Sequence, residues 1–232
     1  MQKNVFEFLG RRIELWTHPA PDHLAMAIRG TRTFYEIDVL MKCRERFLPG
    51  TIIVDAGANI GNHAIFFAAI LNAQVEAFEP YPPSHTLLEL NIAANGLDGR
   101  ISAHCCALGD HEGTGTLHSG PPGNLGATRF TSGIGETAVR RLDDYTIPGP
   151  VGLMKVDVEG GEIPLLRGAA ALIRRWRPDI MIEAGTAPEF RATAAVLLEF
   201  GYIAVSRFAM TPTWLFVAAD QTNRQRDVLA AL

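Results

Sequence analysis

Two acids at the ends of neighbouring apolar runs carry much of the chemistry legible in this chain. Thr51-Ile-Ile-Val-Asp-Ala-Gly-Ala-Asn-Ile-Gly61 is an apolar run that ends in Asp55, passes through Gly57-Ala-Asn59-Ile-Gly61 and opens an apolar helical pattern. Val75-Glu-Ala-Phe follows and ends at Glu79-Pro80-Tyr81. A strand, a glycine turn and a helix in that order can hold a nucleotide. Glycine admits close backbone approach, and a helix start offers unpaired N–H groups to an anion.

Glycines alone do not say which nucleotide; Asp55 discriminates. A carboxylate beside a pyrophosphate is repelled, whereas one beside an ammonium is attracted. S-Adenosyl-L-methionine carries an ammonium, a sulfonium and one carboxylate. Asp55 is therefore expected near the ammonium, and the helix N–H groups near the carboxylate. Glu79 is expected to accept both ribose hydroxyls, a feature that a nicotinamide enzyme would share. Tyr81, after Pro80, is a candidate cover for one adenine face, with packing against the sheet edge as the plainer role.

A third segment, Met154-Lys-Val-Asp-Val-Glu-Gly-Gly-Glu162, brings further acids to a strand end. If the strand stays extended, alternation puts Lys155, Asp157 and Glu159 on one face. A cation between two carboxylates stays charged and can orient a substrate oxygen; a buried ion pair fixing the strand ends is the alternative. Asp157 and Glu159 are candidates for a base or for hydroxyl recognition, and Glu183 ends what should be the adjacent strand. Together Asp157, Glu159 and Glu183 are also a candidate oxygen-ligand set for Mg²⁺. Glu162 reads as a first-turn helix acid. His63 lies close to the expected cofactor, as a base or as a packing residue. His18 and His23 read as surface histidines, and Tyr35-Glu36 as a candidate edge of the site.

These residues need elements to position them. Residues 11–16 alternate like a half-buried strand, and 32–47 look helical up to Pro49-Gly50. From there the pattern alternates: strand 52–55, helix 62–71, strand 75–79, helix 84–95, strand 101–107. Residues 109–135, rich in Gly, Thr, Ser and Pro, read as a long irregular segment. A short element begins at 142–145, then strand 151–158, helix 163–175, strand 179–183, helix 188–200 and strands at 202–208 and 214–219. Alternating strands and helices imply a parallel sheet covered on both faces, and the last pair is too close for a crossover, so it should be an antiparallel hairpin.

With 232 residues, 47% of them hydrophobic, and a formal net charge of −4, the chain is expected to be one globular α/β unit. No basic stripe suggests nucleic acid, no run is long enough to span a bilayer, and no signal-peptide pattern is seen. Cys43, Cys105 and Cys106 lack metal-ligand spacing and suit a reducing cytoplasm.

Val54–His63, Ala77–Leu97, Cys106–Asp110, Arg141–Tyr145 and Met154–Gly168 resemble, in order, the motifs of FkbM-type methyltransferases, across about residues 35–185. The resemblance implies a Rossmann-like seven-stranded class I methyltransferase sheet, mostly parallel with a C-terminal antiparallel hairpin. It implies S-adenosyl-L-methionine as cofactor, and usually O-methylation of a sugar or polyketide hydroxyl. On it, Asp55, Gly57, Asn59 and Gly61 match the first cofactor motif, Glu79 the ribose acid, and Asn91 and Asn95 a recurring pair in the second helix. Ala107-Leu108 fall where the adenine pocket closes, and Gly123-Asn-Leu-Gly126 in a segment near the substrate. Gly161 stands where Ala is more familiar.

The expectation is a cytoplasmic O-methyltransferase of a small-molecule or glycan acceptor, with residues 1–34 an extension and candidate lid and 35–232 the methyltransferase domain. Its rivals are a nicotinamide-dependent oxidoreductase and a cofactor-binding domain without activity. The acceptor and the oligomeric state are not legible.

Overall fold

The computed structural model describes residues 1–19, 22–118, 120, 128–208 and 213–221. Its centre is a seven-stranded sheet built from β3 (Ile52–Ala56), β4 (Gln74–Phe78), β5 (Ile101–His104), β10 (Val151–Val156), β11 (Asp179–Glu183), β12 (Tyr202–Phe208) and β13 (Thr213–Ala218). The order is β12-β13-β11-β10-β3-β4-β5. β5, β4, β3, β10 and β11 are parallel, and β13 runs antiparallel between β11 and β12. The chain steps outward from β3 through β5, then returns to β10 on the other side of β3. That reversal makes the carboxyl ends of β3 and β10 the crevice in which such sheets bind ligands.

Helices α3 (Asn62–Ile70) and α4 (Pro82–Ala94) cover one face, and α5 (Glu162–Gly168), α6 (Ala170–Trp176) and α7 (Ala187–Glu199) the other. β3 shows why both faces are dry. Ile53 points into the first core, while Ile52, Val54 and Ala56 point into the second, and every residue of the strand is buried. The 163–175 helix is divided at Ala169 into α5 and α6. Asp143, in a short 3-10 turn, caps the second piece through the N–H groups of Ala171 and Leu172, each at 2.9 Å.

The structure departs from the expected outline in three places. Residues 1–34 are built into the body: β1 (Gln2–Phe8) and β2 (Arg11–Thr17) form a hairpin and α1 (His23–Thr31) follows. Phe6, Ile13, Leu15, Ile28 and Phe34 are buried in the first core. The expected helix over 32–47 begins only at Ile37, as α2 (Ile37–Arg46), because Arg32 and Glu36 both sit in the left-handed region, at φ 52 and 54. The third departure is the 109–135 segment. It contributes to a second, four-stranded sheet of order β6-β9-β7-β8, made of β6 (Ala107–Leu108), β7 (Gly113–His118), β8 (Arg129–Ser132) and β9 (Thr137–Arg140).

Asn91 and Asn95 act as rungs of a sheet. The Asn91 amide accepts from Trp16 N–H at 2.6 Å and donates to Trp16 C=O at 2.9 Å; Asn95 does the same to Glu14, at 3.0 and 2.7 Å. Two residues apart on β2 and four apart on α4, the pairs match the strand and helix repeats. Asn91 also donates to Ile60 C=O at 2.7 Å, tying the glycine turn to the hairpin. Asn91→Ala would leave buried backbone groups unpaired, at a cost of about 3 kcal/mol. Hydrogen exchange should show β1–β2 amides losing protection while β3 and β10 keep theirs; uniform loss would contradict a local clamp.

Candidate active site

β3 and β10 are register partners, and the register sets Lys155 opposite Asp55. Both point to the same face, Asp55 fully buried and Lys155 6% exposed. The Lys155 ammonium lies 3.5 Å from Asp55 Oδ1 and 3.2 Å from Asp157 Oδ2, and it donates to Gly57 C=O at 2.9 Å. Burial works against its charge, but Asp157, Asp55 and Glu36 outweigh burial and raise its pKa. The cation therefore stays protonated and fastens the glycine turn to the crevice.

A cavity of about 250 Å³ opens above this ion pair. Of the residues expected at the site, Gly57, Asn59, Glu79, Pro80, Ala107, Leu108, Lys155, Asp157, Glu159 and Glu183 line it. Asp55, Gly61 and Tyr81 lie outside the lining of this cavity. Asp55 sits beneath the floor and takes the protein's own ammonium as its partner. Gly61, at φ 89, serves close helix packing, because a Cβ there would stand 2.7 Å from Leu88 Cδ1. Gly57, at φ 77, makes room for protein backbone: a Cβ would be 1.7 Å from Asp157 C=O. Tyr81 contributes its backbone N–H to Glu79.

Glu79 is braced at both oxygens, accepting from Asn59 N–H and Tyr81 N–H at 2.8 Å each. Asn59 reaches this geometry in a left-handed conformation, φ 52, that asparagine tolerates. Burial pushes the Glu79 pKa up to about 7 against those two hydrogen bonds. Each carboxylate oxygen keeps a lone pair for a ligand hydroxyl. Beside it, Phe78, Cys106, Ala107 and Leu108 supply an apolar wall.

The far end of the cavity is acidic. Asp157, Glu159, Glu183 and Glu36 line it, and among the described lining residues Lys155 is the one permanent cation. β10 ends at Val156, and Glu159 lies in the left-handed region at φ 51, so the strand alternation expected through Glu159 does not occur. Burial first, then the Asp157 charge and a hydrogen bond that protonated Glu183 donates to Asp157, push Glu183 up to about 8. Glu159 is raised by burial and by Asp157. Among the described residues no three or more His, Cys, Asp or Glu side chains are disposed to hold a metal ion. Of that expected oxygen-ligand set, Asp157 is engaged by the Lys155 ammonium at 3.2 Å.

Glu162 accepts from Gly160 N–H at 3.0 Å in the first turn of α5, as expected of a helix acid. Gly161 has φ −95 and ordinary contact distances for a Cβ, so alanine would fit there. His63 is buried against the cavity with Nε2 3.5 Å from Glu36 Oε2. His18 corrects a surface reading: it is buried and bonds Ser84 Oγ at 3.1 Å. His23, exposed, and Tyr35 edge the cavity. Asn62 was missed in sequence; its amide brackets the Tyr35 backbone with two 3.0 Å bonds and so sets Glu36 over the site. Thr128 and Phe130 were missed too, since β8 had no strand signal. The Gly123–Gly126 segment lies outside the described residues. Cys105 is exposed and all three cysteines are free thiols.

Comparison with known proteins adds the following. A family profile described as Methyltransferase FkbM domain matches residues 55–204. "Methyltransferase 1" of Beauveria bassiana is 29% identical over 195 residues, 72% of this chain and 77% of that protein. "Methyltransferase sdnD" of Sordaria araneosa is 33% identical over 132 residues, 55% of this chain and 49% of its own length. The crystal structure of Methyltransferase FkbM from Methylobacillus flagellatus KT superposes with a TM-score of 0.52 at 21% identity. It covers 74% of this chain, which spans only 44% of that one.

Proposed function

The chain belongs to the FkbM methyltransferase family, and on that premise we propose that it transfers the methyl group of S-adenosyl-L-methionine to a hydroxyl of a small molecule, with a sugar or glycan precursor as the acceptor class. The observation that carries this reading is the sign of the cavity. Glu36, Glu79, Asp157, Glu159 and Glu183 line it against one lysine already engaged by two carboxylates and a carbonyl. Such a cavity attracts a sulfonium and repels a pyrophosphate, which disfavours a nicotinamide cofactor.

The residues present fit the cofactor. Asn59 Oδ1 is buried without a hydrogen-bond partner, and Glu79 has lone pairs free beside an apolar wall. In this reading Glu79 accepts the ribose hydroxyls, and Ala107 and Leu108 close on the adenine. The bound group supplies an electrophilic methyl on a charged sulfur. Asp157 and Glu183 hold the acceptor hydroxyl in line and take its proton, a matter of positioning and of general-base catalysis. No step uses Mg²⁺. Among the described residues no helix is long and apolar enough to cross a membrane; with three free thiols, a cytoplasmic setting is part of the proposal.

Calorimetric titration with S-adenosylmethionine, S-adenosylhomocysteine and NAD tests the cofactor, and labelled-methyl transfer to a panel of sugars and polyols tests the reaction. Binding of the first two without NAD, followed by label transfer, is the expected result. NAD binding alone would overturn the reading, and binding without transfer to any hydroxyl would favour a domain that has lost activity.

A further inference from the structure

The second sheet joins the two ends of the cavity. Its order places β6, with Ala107 and Leu108, at one edge and β8 at the other. Three strand spacings, about 14 Å, separate these edges. Both nevertheless line the same cavity, one through Ala107 and Leu108, the other through Thr128 and Phe130. On the proposed function the first pair closes on the adenine, so the second stands well away from it. Alternation turns Thr128 and Phe130 to the cavity and Arg129 outward. Arg129 is still close enough to Glu159 to act on its charge. β8 therefore belongs to the acidic end, where the acceptor is to be methylated.

A glycine seats Phe130 there. Phe130 pairs with Leu117, and Gly115 is its diagonal neighbour on the same face of β7. A Cβ at Gly115 would stand 2.1 Å from Phe130 Cζ and 2.4 Å from Cε2, so the ring lies directly on that backbone. The half-buried ring is thus supported on one side and open to the cavity on another. Core packing does not account for it: among the described residues that build the two cores or pack on them, Phe130 is absent. Its strand neighbours Arg129, Thr131 and Ser132 are exposed.

We propose that Phe130 is the platform for the acceptor and sets its class: a saturated sugar ring, laid with an apolar C–H face on the aromatic ring and its hydroxyls towards Asp157, Glu159 and Glu183. This rests on the methyl-transfer reading and adds to it the residue that selects the acceptor. The two surfaces ask for different things. The face of an aromatic ring is negative and attracts the slightly positive hydrogens of C–H groups. Carboxylates accept hydroxyl protons, and Asp157, Glu159 and Glu183 line this end. A pyranose offers a C–H face and several hydroxyls at once. An open-chain polyol has the hydroxyls without a fixed apolar face, and a phenol has the face with one hydroxyl. Because the ring rests on backbone, its position is set before the sugar arrives, and little freedom is lost on binding.

The test is saturation-transfer NMR on the full chain loaded with S-adenosylhomocysteine, titrated with methyl pyranosides, hexitols and phenol, in wild type and in Phe130→Leu. Leucine keeps apolar bulk and removes the ring. Calorimetry with S-adenosylhomocysteine alone reports whether each protein holds a folded site. In wild type, at least one methyl pyranoside should bind more tightly than any hexitol or phenol, with saturation strongest on the C–H protons of one ring face. Phe130→Leu should bind S-adenosylhomocysteine as wild type does and should weaken that pyranoside by about tenfold. Labelled-methyl transfer to the same sugar should show the loss in KM, with kcat little changed. Equal pyranoside affinity in the two proteins, no pyranoside binding in wild type, or tighter binding of a hexitol or of phenol would overturn the proposal and leave the methyltransferase reading in place. A weakened affinity of Phe130→Leu for S-adenosylhomocysteine would do the same, by placing the ring against the cofactor. Failure of wild type to bind S-adenosylhomocysteine would overturn both.

Discussion

Glu79→Ala is expected to weaken S-adenosylhomocysteine binding by about a hundredfold or more. On the proposed function, the substitution removes the acceptor for two ribose hydroxyls, and hydrogen bonds to a charged group contribute about 1.5–3 kcal/mol each. Two of them correspond to at least about 3 kcal/mol, or roughly two decades in affinity. It also frees Asn59 N–H and Tyr81 N–H, so the turn after β3 and the start of α4 lose their common anchor. Asp55→Asn should behave differently. Asp55 lies beneath the floor, so its replacement should change affinity by only a few-fold while lowering the melting temperature. Calorimetry and thermal denaturation on both variants separate the roles. A larger affinity loss in Asp55→Asn than in Glu79→Ala would place the cofactor against β3 in a way the cavity does not suggest.

The second large effect concerns Lys155. Lys155→Met keeps the volume and removes the cation, leaving Asp55 buried without compensation and Gly57 C=O without its donor. Breaking a buried pair from one side costs roughly 3–5 kcal/mol, which in a chain of this size corresponds to a melting temperature about 10 °C lower. Adding Asp55→Asn should recover part of the loss, because the uncompensated charge is then gone. A single variant as stable as wild type would mean that the ion pair does not hold the switch point together.

The parts of this architecture that could be read in the sequence are those in which neighbours along the chain are neighbours in space. The β3 turn, the alternation of strands and helices, and the acids at strand ends are local patterns. What Asp55 touches is not local: it depends on the β3–β10 register, which places a lysine 100 residues away opposite it. Alternation through Asp157 and Glu159 failed for a similar reason, since β10 ends where its partners end and the next backbone turns left-handed at Glu159. The second sheet was illegible because Gly113–His118 is rich in glycine and threonine, and Arg129–Ser132 is short and largely exposed, so neither shows apolar alternation. The helix breaks at Arg32 and Glu36 fall on non-glycine residues in the left-handed region, and the cap that starts α6 comes from Asp143, far from it in sequence. The asparagine pair stood out only by resemblance, and its partners on β2 had no signature of their own.

That pair has a consequence for the order of assembly during synthesis. The hairpin ends at Thr17, but the side chains that bridge Trp16 and Glu14 stand 75 and 81 residues further along the chain, on α4. At about 5–20 residues per second, the ribosome takes roughly 4–15 s to make the missing partner. Through that interval Phe6, Ile13 and Leu15 have no core to enter, and an isolated two-stranded hairpin is marginal in water. This segment is therefore most open to chaperone capture or misassociation until residue 95 has been made, and a ribosome stalled before that point should display a β1–β2 segment that proteases still cut.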